Sequence, residues 1–311
     1  MAELDPAVAA WLQKVNAAQA ERLAAGWVAT PIGVREALAG LIAAMLPAGP
    51  ALPWVNEALV EGGDSPVPLR IYHPAPDEAR PVIVFCHGGG HMAGSVSSYD
   101  PLCRRLAASS GHIVVAVEYR LAPENPYPAA LEDVAQVLRQ LWQTLDGAAV
   151  RYRRERTLAG DSGGAALAAT LAQRGQHDPA LACERLVLIY PSVDYTLAQP
   201  SLQRNGKGYL LERERIGWYF AHYFRRGGDR VAASPLLGEV AANHPPTLLI
   251  TAGFDPLLDE GAAYAQKLAA AGVAVEYHCE PAQIHAFLLL EALVPEVCAA
   301  SYRRIAAFVG R

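Results

Sequence analysis

Thr157-Leu158-Ala159-Gly160-Asp161-Ser162-Gly163-Gly164-Ala165-Ala166-Leu167 changes character halfway along. An apolar run of strand type gives way to a turn walled by glycines, and a small-residue helix begins at once. Gly160 and Gly164 stand two places either side of Ser162, the spacing G-x-S-x-G. A strand-to-helix turn that sharp brings those positions together, and side chains there would collide. It also lifts the serine hydroxyl out of the sheet and over a helix N-terminus. There, unpaired N–H groups and the helix dipole favour negative charge. Glycine-rich turns also arise by chance, so the reading depends on what surrounds this one.

Outward from the turn, strand and helix patterns alternate. Residues 81–86, 112–117, 186–190 and 247–251 are apolar runs with few polar interruptions. Strands apolar on both faces belong to parallel sheets covered by helices on both sides. Helical patterns at 99–110, 127–145, 163–174 and 257–271 fall between them, which is the doubly wound α/β signature. Residues 67–72 alternate and contain Pro68, which predicts an edge strand. Residues 273–279 alternate again as a last, less buried strand, and a final helix is expected from Pro295 to Phe308. Two stretches break the alternation. Residues 1–50 are alanine-rich with helical spacing, and 195–233 carry an aromatic helical stripe of Ile216, Tyr219, Phe220, Tyr223 and Phe224. The expected division is therefore a core of 51–194 and 234–311, with helical additions at 1–50 and 195–233.

The chain has 311 residues, 52% of them hydrophobic, enough to bury a large core. Its 26 Lys and Arg against 31 Asp and Glu give a net charge of −5. That mild acidity argues against a nucleic-acid partner and against a polybasic membrane anchor. The basic run at 151–156 is interrupted by Glu155 and reads as a solvated loop. Five scattered cysteines without a C-x-x-C pair predict reduced thiols rather than disulfides or a zinc site. With no apolar run of membrane-spanning length, a cytoplasmic protein is expected.

A serine that attacks an acyl group needs a base, an acid to orient the base and donors for the oxyanion. In open α/β sheets these lie at the carboxyl ends of strands. After the strand ending at Cys86 comes His87-Gly88-Gly89-Gly90, whose backbone N–H groups no Cβ would shield. The expected donors are the N–H groups of Gly88, Gly89 and Gly163, each worth about 3 kcal/mol in the transition state. His87 reads as a structural hydrogen-bonder. After Thr251, Asp255 stands at the turn into a helix, with Asp259 one turn on as a bland cap or surface acid. After the last strand comes His285 in Ile284-His285-Ala286-Phe287. Ser162, Asp255 and His285 thus follow strands in the order Ser…Asp…His.

With these motifs in place, the chain resembles the bacterial hormone-sensitive-lipase-like carboxylesterases of the α/β-hydrolase fold. The resemblance runs from about residue 81 to 287. Besides His87–Gly90 and Gly160–Gly164, it rests on Tyr119-Arg120-Leu121-Ala122-Pro123-Glu124 with the prolines at 126 and 128, and on Asp255–Gly261. It implies a triad of Ser162, Asp255 and His285, no cofactor or metal, and a helical cap drawn from 1–50 and 195–233. Two positions depart from the family: Gly163 replaces an alanine and Ala286 replaces a glycine. Both are expected to tune the rate. Glu124 and Asp161 are read as scaffold or salt-bridge residues.

The implied reaction is hydrolysis of short- to medium-chain acyl esters through an acyl-enzyme, with a small-molecule ester as the substrate. Trp27, Tyr195, Tyr209, Trp218, Tyr219 and Phe220 are candidates for the substrate pocket, though such aromatics also serve as core of the helical part. An amidase, lactonase or deacetylase would use the same residues. A non-catalytic receptor of this fold would be expected to lack the histidine. The strand at 273–279 is an edge through which a homodimer would form.

Overall fold

The computed structural model describes residues 3–311. Two helices, α1 (Pro6–Ala24) and α2 (Pro31–Met45), precede an eight-stranded sheet. Asp5 caps α1 by accepting from the N–H groups of Ala7 and Val8, and Thr30 caps α2, each followed by a proline at the first helical position. The strands are β1 (Trp54–Val60), β2 (Val67–His73), β3 (Arg80–Cys86), β4 (Ile113–Val117), β5 (Tyr152–Asp161), β6 (Arg185–Ile189), β7 (Thr247–Phe254) and β8 (Val275–Ile284). Between and after them lie α3 (Asp100–Ser110), α4 (Ala129–Gly147), α5 (Gly163–Gly175), α6 (Ser201–Arg204), α7 (Arg213–Tyr223), α8 (Arg230–Ala233), α9 (Leu258–Ala270) and α10 (Pro295–Val309).

The strand order is β1-β2-β4-β3-β5-β6-β7-β8; β1, β2 and β4 pair antiparallel and all later neighbours parallel. On β3, Val82, Val84 and Cys86 pack into one apolar cluster with α4, α5 and α9. Ile83 and Phe85 pack into a second cluster with α3 and α10. Because successive side chains face opposite ways, both faces of the strand are buried. Each such side chain contributes roughly 2 kcal/mol of apolar burial. The sheet is therefore a rigid slab, and the loops at its carboxyl ends are held from below.

Three local expectations need correction. β2 is not an edge strand, since β1 covers its outer side; Pro68 is tolerated because the β4 ladder starts one residue later, at Leu69. The basic run 151–156 lies mostly within β5 rather than in a loop, with Arg153 paired to Glu155 on its exposed face. β8 runs past Cys279 through Pro281 to Ile284, its register shifting opposite Ala252–Phe254. An edge position leaves the proline's missing N–H without penalty.

Residues 195–233 contain α6, α7 and α8 and no strand. Their aromatic residues form a third apolar cluster of Tyr195, Ile216, Phe220, Tyr223 and Phe224. This segment meets the N-terminal helices: Asn16 donates to the Gly208 carbonyl, and the Arg215 guanidinium lies 5.7 Å from the Trp27 ring centre.

Candidate active site

The register of the sheet decides which loops meet. Cys86 pairs with Gly160 across β3 and β5, so the His87 loop and the Ser162 turn emerge side by side. Asp161 pairs with Ile189, and Phe254 pairs with Ile284, so Asp255 and His285 leave adjacent strands at one level.

Ser162 has φ 52° and ψ −119°, a conformation that costs on the order of 1–3 kcal/mol and persists because the surroundings fix it. Its N–H donates to the Ile189 carbonyl at 2.9 Å, and its own carbonyl accepts from the Ser192 N–H. A Cβ on Gly160 would lie 2.6 Å from the Gly164 carbonyl carbon, and one on Gly164 would overlap the Cys86 and His87 carbonyl oxygens. The two glycines are therefore required by contact.

His285 stands 2.9 Å from the Ser162 Oγ through Nε2 and 2.8 Å from Asp255 Oδ2 through Nδ1. An ionised aspartate accepts from Nδ1–H, which leaves Nε2 as the acceptor facing the serine hydroxyl. Asp255 is 1% exposed, and its second oxygen accepts from the Leu257 N–H at 2.7 Å, so it cannot swing away. Asn205, at the C-terminal end of α6, donates to the Asp255 and Gly253 carbonyls. The Tyr190 ring meets the imidazole edge-on at 4.9 Å and supports it from below. Ala286 has φ 62°, the left-handed region, which is why glycine suits that position and why an alanine there carries local strain.

The His87 loop corrects one expectation. The Gly88 N–H is not free: it donates to Asp161 Oδ1 at 2.6 Å, so it cannot also serve an oxyanion. Among the described residues, none accepts from the N–H groups of Gly89, Gly90 or Gly163. Gly90 N lies 3.4 Å from where a Cβ on Gly163 would stand, so these two open donors are neighbours. His87 donates from Nδ1 to the Gly88 carbonyl, and its own carbonyl accepts from the Tyr119 hydroxyl at 2.5 Å. Burial lowers its imidazole to about 4 and that of His91 to about 3, so both are neutral hydrogen-bonders.

The pocket candidates separate. Tyr195 and Phe220 are 2% and 3% exposed and stack edge-on inside the third cluster, which makes them core rather than pocket wall. Trp27 is at the outside, 39% exposed beneath Arg215. Trp218 packs on His222 and Tyr219, and Tyr209 packs on Phe254 next to Asp255. Tyr219 lies against the oxyanion loop: a Cβ on Gly90 would fall 2.8 Å from its ring carbons.

Several supporting residues lie outside the motifs, as Arg35 does, or inside them with a role the motifs do not show, as Glu124 and Glu260 do. Arg35 from α2 donates to the Met92 and Ala122 carbonyls and pairs with Glu124 at 2.5 Å, tying the N-terminal helices to the His87 loop. The Arg35 guanidinium holds the Glu124 carboxyl below its usual range. Glu260 from α9 is buried and accepts from the Val193 and Asp194 N–H groups, fixing the loop after β6; burial pushes its carboxyl well up. Among the described residues, no group of three or more His, Cys, Asp or Glu is placed to hold a metal, and no helix is long and apolar enough to cross a membrane.

A mostly parallel sheet bearing a serine turn after β5, with an acid and a histidine after its last two strands, defines an α/β hydrolase. The family model described as the alpha/beta hydrolase fold matches residues 83–289. The chain is 39% identical over 236 residues to the ethyl acetate hydrolase of Pseudomonas putida, covering 74% of each protein. It is 36% identical over 269 residues to the esterase LipI of Mycobacterium tuberculosis, covering 84% of this chain and 83% of that one. Among solved structures, an esterase of Pyrobaculum calidifontis superposes with a TM-score of 0.86 at 31% identity over 98% of each chain. The chain belongs to the α/β-hydrolase family, among its hormone-sensitive-lipase-like carboxylesterases, and is a carboxylic ester hydrolase.

Proposed function

We propose that Ser162 is the nucleophile of this esterase, His285 its base and Asp255 the acid that orients the base. The hydrogen-bonded line Ser162–His285–Asp255 carries the reading. His285 Nε2 takes the proton from Oγ as the oxygen bonds to the ester carbonyl carbon. The carbonyl oxygen becomes the oxyanion and accepts from the N–H groups of Gly89, Gly90 and Gly163. When the tetrahedral intermediate collapses, the alkoxy group leaves with the proton held by His285. Water, deprotonated by the same base, then cleaves the acyl-enzyme to the carboxylate and free Ser162.

The acyl chain is short to medium. Tyr219 lies against the loop that offers Gly90, and relatives include an ethyl acetate hydrolase and a Salmonella acetyl esterase that is 31% identical. The helices of 1–50 and 195–233 act as the cap that selects the substrate. The exposed β8 edge is where a homodimer pairs, and five unpaired cysteines fit a reducing cytoplasm.

The test is hydrolysis of p-nitrophenyl esters from acetate to laurate by the protein and by Ser162→Ala. The expected result is a maximum at short chains and a loss of about 10⁴-fold or more in kcat for the variant. Wild-type rates in Ser162→Ala overturn the nucleophile assignment, and a maximum at laurate overturns the chain-length assignment.

A further inference from the structure

Asp161 lies next to the nucleophile, yet it does not point at it. Its carboxyl group is 1% exposed and turns under the His87 loop, where Oδ1 accepts from the Gly88 N–H at 2.6 Å and Oδ2 from the Tyr99 hydroxyl at 3.1 Å. We propose that Asp161 is the positioning residue of the oxyanion hole, holding the Gly88 peptide so that the next N–H groups along, those of Gly89 and Gly90, face Ser162. This rests on the reading of Ser162 as the nucleophile.

The geometry supports it from both sides. Gly88 is not in the left-handed region, so its backbone conformation does not require glycine. What requires glycine is Asp161 itself: a Cβ on Gly88 would lie 2.5 Å from Oδ2 and 3.0 Å from the Tyr99 hydroxyl. Gly89 and Gly90 do have positive φ, 123° and 62°, so the chain reverses immediately beyond the anchored peptide. The His87–Gly88 peptide is planar, so anchoring its N–H fixes the plane from which the Gly89 and Gly90 peptides start. The carbonyl of the same residue is held by His87 Nδ1, and the His87 carbonyl by Tyr119. Remove the carboxylate and the Gly88 N–H is left buried without its acceptor, its peptide held by Tyr119 at the carbonyl end alone, and the Gly89 and Gly90 N–H groups lose the aim that Asp161 sets. A donor serves an oxyanion only when it is already aimed at it.

Asp161→Ala and Asp161→Asn test this, since the asparagine oxygen can still accept from Gly88 while its NH₂ meets the Tyr99 oxygen. Asp161→Ala is expected to lower kcat by about 100-fold with KM within about threefold. Its affinity for an aryl trifluoromethyl ketone, which forms the tetrahedral oxyanion on the serine, should fall by a comparable factor. Asp161→Asn should recover both to within about fivefold. Gly88→Ala, which pushes on the same contact from the loop, should lower kcat similarly and combine with Asp161→Ala less than additively. The proposal is overturned if Asp161→Ala keeps kcat within threefold, if Asp161→Asn is as slow as the alanine variant, or if Gly88→Ala and Asp161→Ala are additive. Ser162→Ala run alongside separates the two readings. If it too hydrolyses the ester, the nucleophile assignment has failed; if it is silent, the result speaks to Asp161 alone.

Discussion

The carboxyl end of the sheet and the helices that lie over it are held together differently. At the sheet end, glycines touch backbone and buried carboxylates hold loops through N–H groups: Gly160 on Gly164, Gly164 on the Cys86 carbonyl, Asp161 on Gly88, Glu260 on Val193 and Asp194. Each contact is short and directional, and each has one solution. In 195–233 much of the holding is done by rings, Tyr195 edge-on to Phe220 and Phe224, and Tyr223 stacked on His91. Its junction with the N-terminal helices leaves Leu23, Val28 and Ile32 exposed nearby along the chain. Apolar surfaces repack with modest losses, whereas a buried N–H or a backbone clash does not. The difference teaches that substrate preference can drift in the ring packing of the helices, away from the Asn205 and Ser201 contacts to the Asp255 loop, without disturbing the chemistry beneath.

The sharpest way to break the comparison is Gly164→Ala. A Cβ there overlaps two carbonyl oxygens at the end of β3, and neither backbone can retreat without opening the ladder between β3 and β5. The expected loss is at least about 3 kcal/mol of stability. Because the same contact sets where Ser162 meets His285, roughly 100-fold in kcat should go with it. Urea denaturation and kcat on the best short ester measure both. Near-wild-type values for the pair would mean the turn is as pliant as the helices.

A smaller effect separates the function of Asp161 from its stability. Burial, ahead of every other influence, pushes its carboxyl up to about 7, with the Gly88 N–H, the Tyr99 hydroxyl and His285 pulling it down. In the unfolded chain an aspartate ionises near 3.9. Between those values the folded protein keeps the proton and the unfolded chain does not. Stability present below about pH 4 is therefore lost as the pH rises through about 7. Asp161→Asn removes the titration. Relative to the native protein it should gain about 3 kcal/mol between pH 4.5 and pH 8, most of the roughly 4 that the full displacement implies, because an amide does not titrate and its desolvation is the same at both pH values. Parallel stability curves for the two proteins across that range would remove Asp161 as the titrating group.

The same contrast explains what could be read from the chain. β3, β4, β6 and β7 are legible because both of their faces are buried and each reads as an apolar run. β1 is not: Asn56 and Glu57 sit side by side on an outer strand that exists only by pairing with β2. The serine, aspartate and histidine positions are legible because a strand end precedes each. The Gly88–Asp161 bond is not, since it joins residues 73 apart and depends on the register that sets Cys86 beside Gly160. A hint was present in an acid placed between a buried strand and a nucleophile, where a charge needs a partner. In the helices an aromatic stripe reads the same whether it is core or pocket. Only three-dimensional packing separates the buried Tyr195 and Phe220 from Tyr219.

Tyr219 is where the two regions touch, and its removal should have the smallest effect on rate and the most informative one on choice. Its ring lies against Gly90, yet the residue is only part-buried and no triad atom bonds to it. Tyr219→Ala should leave kcat on an acetyl ester within about threefold. It enlarges the space beside the oxyanion loop, so longer acyl chains gain where the ring had blocked them. A methylene fitted into an apolar pocket is worth about 1–3 kcal/mol, so butyrate or hexanoate relative to acetate should rise by about tenfold in kcat/KM. A hundredfold fall in kcat on acetate would place Tyr219 in the machinery that the glycines and carboxylates hold. An unchanged acyl series would place it outside the pocket, and the helices would then owe their selectivity to Trp218 or Tyr209.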